Sequence, residues 1–280
     1  MTADALLTVS HLRKSFGGGR RGRGAVQAVR DVSFTVRRGE VLGLAGESGS
    51  GKSTCVRLIL RLIEPDDGSI TFDGIDVRGL RRRDLAAVRR RMSLVSQDPY
   101  SSLDPTWDVR DLVTEALLGS AKQRERHARA EQLLDHVRLD RSFLQRRPRE
   151  LSGGQRQRVA VARALALTPE LVILDEAVSA LDVSTRAQIL QLLQALQSEL
   201  GLTYLFVSHD LSVLQQFTDV LSVQLQGQTV ETGPTADLCD NPRHPYVKRL
   251  LASVPVPDPH AQRLRREALL DPADDRGART

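Results

Sequence analysis

An α/β fold with a parallel-sheet core is predicted by three features of this 280-residue sequence: short, wholly apolar runs at 41–45, 171–174 and 205–207, helix-like stretches between them, and a glycine-rich turn directly after the first run. Continuous apolar runs of this length suit strands covered on both faces, as parallel strands packed between helices are. Their alternation with helices is the α/β pattern. Ahead of them, 6–10 and 32–36 read as short antiparallel neighbours bracketing the Gly-rich loop 17–24. From Lys52 a helix is predicted to residue 63, stopped by Pro65. Residues 69–72 form a strand closed by the turn Asp73-Gly74, and 92–96 a strand ending at Gln97, followed by a turn-rich stretch over 98–105. From 109 to about 144 the pattern is helical and charged with no strand candidate, which predicts a helical insert. Residues 156–166 read as a helix, and 185–200 as another that ends at Gly201. After Gly233-Pro234 the chain is punctuated by Pro242, Pro245, Pro255, Pro257 and Pro259, and its polar last ten or so residues are expected to be poorly ordered.

Composition narrows the function classes. The hydrophobic share of 40% is that of a globular chain, and no run is long enough to span a bilayer. Met1-Thr2-Ala3-Asp4 shows no basic-then-apolar pattern, so a cytoplasmic location is expected. Cys55 and Cys239 lie far apart, which predicts buried thiols rather than a metal or iron–sulfur centre. The net charge of +5 would suit nucleic acid or an anionic membrane, but aromatic residues make up only 4% and stacking platforms are scarce. The clusters Arg20-Arg21-Gly22-Arg23, Arg81-Arg82-Arg83 and Arg89-Arg90-Arg91 are read as a solvated loop and a solvated helix face, with lipid headgroups as the alternative.

The chemistry is carried by Gly46-Glu47-Ser48-Gly49-Ser50-Gly51-Lys52-Ser53-Thr54, which fits the phosphate-loop pattern between a buried strand and a helix. Glycines let the backbone curl until its amides point inward, and the helix adds the positive end of its dipole, so a polyphosphate is the natural occupant. Lys52 supplies a charge for the outer phosphates and Ser53 a hydroxyl for Mg²⁺. Leu171-Val172-Ile173-Leu174-Asp175-Glu176 delivers two carboxylates at the carboxyl end of a strand, beside where such a loop must lie. Asp175 suits the Mg²⁺ shell and Glu176 the polarisation of an attacking water; an acidic helix cap is the plainer alternative. Ser152-Gly153-Gly154-Gln155 opens a second glycine-rich helix start with an anion-ready hydroxyl, and Ser208-His209-Asp210 follows the next apolar strand.

Taken together, these segments resemble the ATP-binding cassette family over nearly the whole chain. The resemblance implies a phosphate-loop nucleotide-binding domain with a parallel core, an antiparallel β subdomain and a helical insert. It places the ATPase domain at 1–235, its helical subdomain at about 98–165, and an extension at 236–280. It implies ATP and Mg²⁺ as ligands and a head-to-tail dimer with two ATP molecules at the interface. In that dimer Ser152, Gly153, Gly154 and Gln155 meet the γ-phosphate held by the opposite subunit, and Ser179-Ala180-Leu181-Asp182 crosses to it. Gln97 corresponds to the loop glutamine that senses the γ-phosphate and Mg²⁺, His209 to the switch histidine, and Phe16 to an aromatic that stacks on adenine.

The tail, with Asn241-Pro242-Arg243-His244-Pro245-Tyr246 and Leu250-Leu251-Ala252-Ser253-Val254-Pro255, resembles that of dipeptide and oligopeptide importer ATPases. Gln97-Asp98-Pro99-Tyr100-Ser101-Ser102-Leu103 and Val178-Ser179-Ala180-Leu181-Asp182 are most similar to the F-type ATPase of such importers. The expected partners are a second, D-type ATPase in a heterodimer (a homodimer is the alternative), two transmembrane permeases and an external solute-binding protein, with no nucleic acid. The chain departs from the family pattern at Ala177, where proline is common, at Asp104, where asparagine is usual, and in Val223-Gln224-Leu225-Gln226-Gly227-Gln228, which is unusually polar. A soluble cassette ATPase acting on nucleic acid or ribosomes, and an inert subunit that binds ATP without turnover, are the rival readings.

Overall fold

The apolar runs become the centre of one ten-stranded sheet in the order β5-β4-β1-β2-β10-β9-β3-β8-β7-β6. Its strands are β1 (Ala5–Phe16), β2 (Val26–Arg37), β3 (Val41–Ala45), β4 (Asp67–Phe72), β5 (Ile75–Asp76), β6 (Met92–Val95), β7 (Leu171–Asp175), β8 (Thr203–Ser208), β9 (Val220–Leu225) and β10 (Gln228–Pro234). The helices are α1 (Lys52–Ile59), α2 (Arg82–Arg89), α3 (Val109–Val113), α4 (Gln123–His136), α5 (Gly153–Ala164), α6 (Val183–Leu200), α7 (Leu211–Phe217), α8 (Thr235–Asp240) and α9 (Pro245–Ala252). The computed structural model describes residues 4–17, 24–98 and 102–254. The Arg20-Arg21-Gly22-Arg23 cluster, Pro99-Tyr100-Ser101 and the tail beyond Val254 lie outside the described residues.

Strands β9, β3, β8, β7 and β6 run parallel. Strands β5, β4, β1 and β2 are antiparallel, and β10 joins the two halves, pairing along β9 and meeting β2 at Gln228 opposite Asp31. Because side chains alternate across a strand, the central strands feed two cores. Val41, Ala45, Val172, Leu174, Tyr204 and Phe206 face a core completed by α3 to α7 and the C-terminal helices. Leu42, Leu44, Leu171, Ile173, Leu205 and Val207 face a second core with α1, α2 and the antiparallel strands. Each fully buried aliphatic side chain contributes about 1.5–3 kcal/mol, so these runs hold the sheet against chain entropy. No helix among the described residues is long and apolar enough to cross a membrane.

Several boundaries differ from the sequence expectations. The first helix stops at Ile59 rather than residue 63, because Arg61 adopts a left-handed φ of 49° and its guanidinium donates to Val77 O and Leu80 O at 3.2 and 2.6 Å. The helical insert is broken into α3, α4 and short turns, with Asp108 and Asp140 capping new starts and Gly119 at φ 76° between. Of the arginine clusters, Arg81, Arg82, Arg83 and Arg90 are exposed, as expected of a solvated face. Arg89 and Arg91 are only partly exposed and are held by internal contacts. Arg89 donates to Leu60 O and Arg61 O at 2.8 and 2.6 Å, closing α2 onto the end of α1. Arg91 and Arg38 share Asp73 and Glu170, a four-residue ion-pair cluster joining strand ends that the chain leaves far apart.

Of the polar stretch at 223–228, Gln226 and Gln228 are exposed and Gln224 is buried on β9. Ser222 and Gln224 are fully buried; Thr232 Oγ1 and Ser222 Oγ lie 3.0 Å apart, and Gln224 Nε2 donates to Cys55 Sγ at 3.6 Å. Burial pushes the Cys55 thiol up to about 12, as expected of an inert packed cysteine.

Candidate functional site

From Ala45 at the end of β3 the chain turns through 46–51 into α1. A Cβ on Gly46, at φ 151°, would run into Gln224 O of β9, and one on Gly51, at φ 100°, into Ala28 O of β2. Only glycine lets the loop sit this close to the two flanking strands. Gly227 N donates to Ser50 O at 3.0 Å and Ser50 N to Glu47 O at 3.1 Å, which fixes the curl. Gly51 caps α1 without a side-chain bond, so the first amides of the helix are left to an anion. The Lys52 ammonium, 5% exposed, donates to Gly46 O at 2.6 Å and Glu47 O at 2.8 Å. Burial lowers its pKa, against the opposing charges of Glu176, Asp175 and Glu47.

The parallel register brings the other groups to the same end of the sheet, since Ala45 pairs with Ser208, Asp175 with Val207 and Val95 with Leu174. Ser53 Oγ lies 3.3 Å from Asp175 Oδ1. Burial raises the Asp175 pKa first of all; the Ser53 hydrogen bond opposes it and the Glu176 charge adds to it. Glu176 has a left-handed φ of 52°, stabilised by its N–H donating to Val207 O at 2.9 Å. Such a conformation costs a non-glycine residue about 1–3 kcal/mol and turns the carboxylate out of the strand direction. Glu176 Oε1 lies 3.0 Å from His209 Nδ1. Behind them Arg186 of α6 pairs with Asp210 at 2.8 Å, tying the turn after His209 to a helix. Gln97 is exposed just beyond β6, on this same edge.

A second group of predicted residues gathers elsewhere, at two adjacent helix starts. Ser152 and Gln155 cap α5 reciprocally, Gln155 N donating to Ser152 Oγ at 3.3 Å and Ser152 N to Gln155 Oε1 at 2.9 Å. A Cβ on Gly154 would stand 2.6 Å from Thr185 Cγ2, and one on Gly153 3.9 Å from Leu181 Cδ2. That packing sets the segment against the start of α6, where Asp182 accepts from Thr185 N at 2.9 Å and from the Ser184 and Thr185 hydroxyls at 2.7 Å each. These bonds, Ser184's first, hold the Asp182 carboxyl well below the usual range. Phe16, 43% exposed with the Lys14 ammonium 5.7 Å from its ring, pairs with Val26 on the strand whose Ala28 abuts Gly51.

Sequence reasoning missed one contact with the loop: the Tyr246 hydroxyl accepts from Glu47 N at 3.2 Å. Its only sequence signal is the His244-Pro245-Tyr246 string, which gives no hint of where the ring goes.

The donors present fit a nucleoside triphosphate with magnesium. A loop with no room for a Cβ at Gly46 or Gly51, helix amides and a buried lysine suit a polyphosphate. The Ser53 hydroxyl and Asp175 carboxylate are hard oxygens, few enough to leave positions for water and phosphate oxygens, as magnesium prefers.

Comparisons with known proteins identify the family. The ABC transporter pattern matches residues 29–179, and that of the oligopeptide/dipeptide transporter C-terminal region matches 230–276. The oligopeptide transport ATP-binding protein OppF of Bacillus subtilis is 46% identical over 275 residues, 96% of this chain and 89% of the relative. A probable peptide ABC transporter ATP-binding protein, y4tS of Sinorhizobium fredii, is 47% identical over 94% of this chain and 76% of its own length. Among solved structures, the dimeric cassette MJ0796 in a post-hydrolysis state with ADP and Pi superposes with a TM-score of 0.72 at 31% identity, covering 82% of this chain and 98% of that one. Clostridium perfringens cbiO1, part of the cbiONQ transporter complex, gives 0.76 at 25% identity over 93% and 98%. Matched by the family pattern over 29–179 and by relatives over most of its length, the chain belongs to the ABC transporter family as an ATP-binding cassette subunit.

Proposed function

We propose that this chain is the ATP-binding and ATP-hydrolysing subunit of an importer for oligopeptides, dipeptides or a similar small solute, seated on the cytoplasmic face of the membrane against two permease subunits. The observation that carries the reading is the pair of contacts at one sheet end, Ser53 with Asp175 and Glu176 with His209, in a chain 46% identical to an oligopeptide transport ATP-binding protein. Residues 1–235 form the ATPase domain, with the helical subdomain at about 98–165, and 236–280 the importer-type extension.

Within this reading, Lys52 and the amides of 46–54 hold the outer phosphates of ATP, and Phe16 stacks on adenine. Ser53, Asp175 and Gln97 would hold Mg²⁺, which would supply neutralisation of phosphate charge. Glu176 orients the attacking water and takes its proton on Oε2, while His209, bonded to Oε1, keeps that carboxylate aimed. Ser152, Gly153, Gly154, Gln155 and Asp182 act on the nucleotide of a facing cassette. The composite site is supported by the solved cassette MJ0796, which is described as a dimer. A related but different D-type ATPase is the proposed partner, with an external binding protein completing the transporter. The basic balance of the chain is partly absorbed by internal contacts such as those of Arg38, Arg89 and Arg91, which weakens the case for nucleic acid.

The test is a pair of substitutions in the assembled transporter. Glu176→Gln is expected to keep ATP affinity within about twofold and to lower hydrolysis about 10²- to 10⁴-fold. Lys52→Ala is expected to abolish binding itself. Normal turnover in the first variant would remove Glu176 from the reaction, and co-purification of the chain with ribosomes or DNA instead of permeases would overturn the importer reading.

A further inference from the structure

The segment after Asn241 meets the phosphate loop through the Tyr246 hydroxyl, across 199 residues of sequence. Glu231 on β10 accepts from Arg243 N at 3.1 Å and His244 N at 2.9 Å, which pins the segment to the sheet. His244 Nδ1 then accepts from Tyr246 N at 3.1 Å, and Pro245 fixes the first turn of α9. The Tyr246 ring is 4% exposed, and Val247 and Leu251 beside it are fully buried. The hydroxyl is thus delivered by a rigid mount.

Its target is one end of a particular peptide group. The Glu47 N–H that it accepts and the Gly46 carbonyl that holds the Lys52 ammonium at 2.6 Å belong to the same planar unit. Fixing one end of that plane fixes the other, and with it the nearer of the two carbonyls, Gly46 O and Glu47 O, that hold the Lys52 ammonium. The same C-terminal portion also supplies Gln224 O against Gly46 and Gly227 N on Ser50 O.

We propose that Tyr246 is a positioning residue for the phosphate loop, so that the anchored segment 241–246 sets the affinity of the site for nucleotide. The proposal rests on the phosphate-loop reading above. Tyr246→Phe keeps the ring and deletes the hydroxyl. In the full chain its dissociation constant for ATP, measured by calorimetry, is expected to rise about three- to tenfold, the equivalent of one net hydrogen bond. Amide exchange at Glu47 should quicken, and in the assembled transporter KM for ATP should rise with kcat retained. Ser253→Ala, which removes only a bond to Leu250 O at the far end of α9, should change none of these.

Unchanged affinity and exchange in Tyr246→Phe, or a lowered melting temperature alone, would make the tyrosine a packing residue and overturn the proposal. So would an equal loss in Ser253→Ala. Lys52→Ala in the same calorimeter separates the two levels: normal binding there defeats the phosphate-loop reading, whereas lost binding beside an unaffected Tyr246→Phe defeats only the role of the tyrosine.

Discussion

Asp175 and Asp182 are the same residue type, close in sequence, and their environments are opposite. Asp175 ends a strand buried in the sheet, where loss of water pushes its pKa up and the Ser53 hydroxyl is its hydrogen-bonding neighbour. Asp182 stands at the exposed start of a helix, where donors from Ser184 and Thr185 hold its pKa down. The strand-end region therefore gathers charged groups under tension: a desolvated lysine, a desolvated aspartate and a glutamate in a strained backbone conformation. The helix-start region satisfies its own groups. The first is poised for a highly charged ligand, and the second is a preformed surface whose shape matters more than its reactivity.

The largest expected effect breaks the first region at its backbone. Gly46→Ala drives a Cβ into Gln224 O, a main-chain atom of a buried strand that has no room to retreat. Strain at the positive φ and the collision together should cost about 2–4 kcal/mol of stability and eliminate nucleotide binding. Urea unfolding and ATP calorimetry check both parts. Binding at wild-type strength would mean that the loop is not the phosphate cradle.

A smaller effect is expected at the helix starts. Ser152→Ala removes one half of the α5 capping box and should cost about 1 kcal/mol of stability. ATP affinity of the single chain should stay within about twofold, because none of the strand-end groups is touched. Hydrolysis by the assembled pair of cassettes should nonetheless fall, if the segment acts across the dimer. A matching loss of ATP affinity in the single chain would place Ser152 on its own nucleotide and erase the distinction between the two regions.

These two regions were not equally legible in the sequence. The phosphate loop and the Asp175-Glu176 pair each occupy one contiguous stretch whose neighbours, an apolar strand and a helix, fix their placement through parallel register. The central strands were legible for the same reason, as their burial on both faces writes an unbroken apolar run. What escaped depends on partners distant in the chain. The single β10–β2 pair at Gln228 and Asp31, the Tyr246 contact with Glu47, and the Arg91 cluster with Asp73 and Glu170 leave no local pattern. Arg91 in particular sits in a run of arginines that reads as a solvated face, and only folding brings the two carboxylates to it. The overlong first helix failed on one residue, Arg61, whose left-handed turn is dictated by carbonyls it meets only in the folded chain.

Glu170 offers the smallest effect and the sharpest contrast with Asp182. Both carboxyls are held low, but Glu170 is held by the Arg91 and then the Arg38 guanidinium, half exposed, rather than by the donors of a helix start. A carboxylate whose folded pKa lies below its unfolded value stabilises the protein fully above that unfolded value and loses its contribution as pH falls through the folded one. The stability difference between wild type and Glu170→Gln should therefore be largest near neutral pH and shrink on acidification. High salt should reduce it as well, because the guanidinium pairs are partly open to solvent. The corresponding Asp182→Asn difference should show the same acid dependence and little response to salt, since its partners are neutral hydroxyls and a backbone amide. Urea unfolding of both variants across acidic to neutral pH, at low and high salt, measures this. Equal salt sensitivity would show that long-range charge, rather than the local donors of the helix start, holds Asp182 ionised.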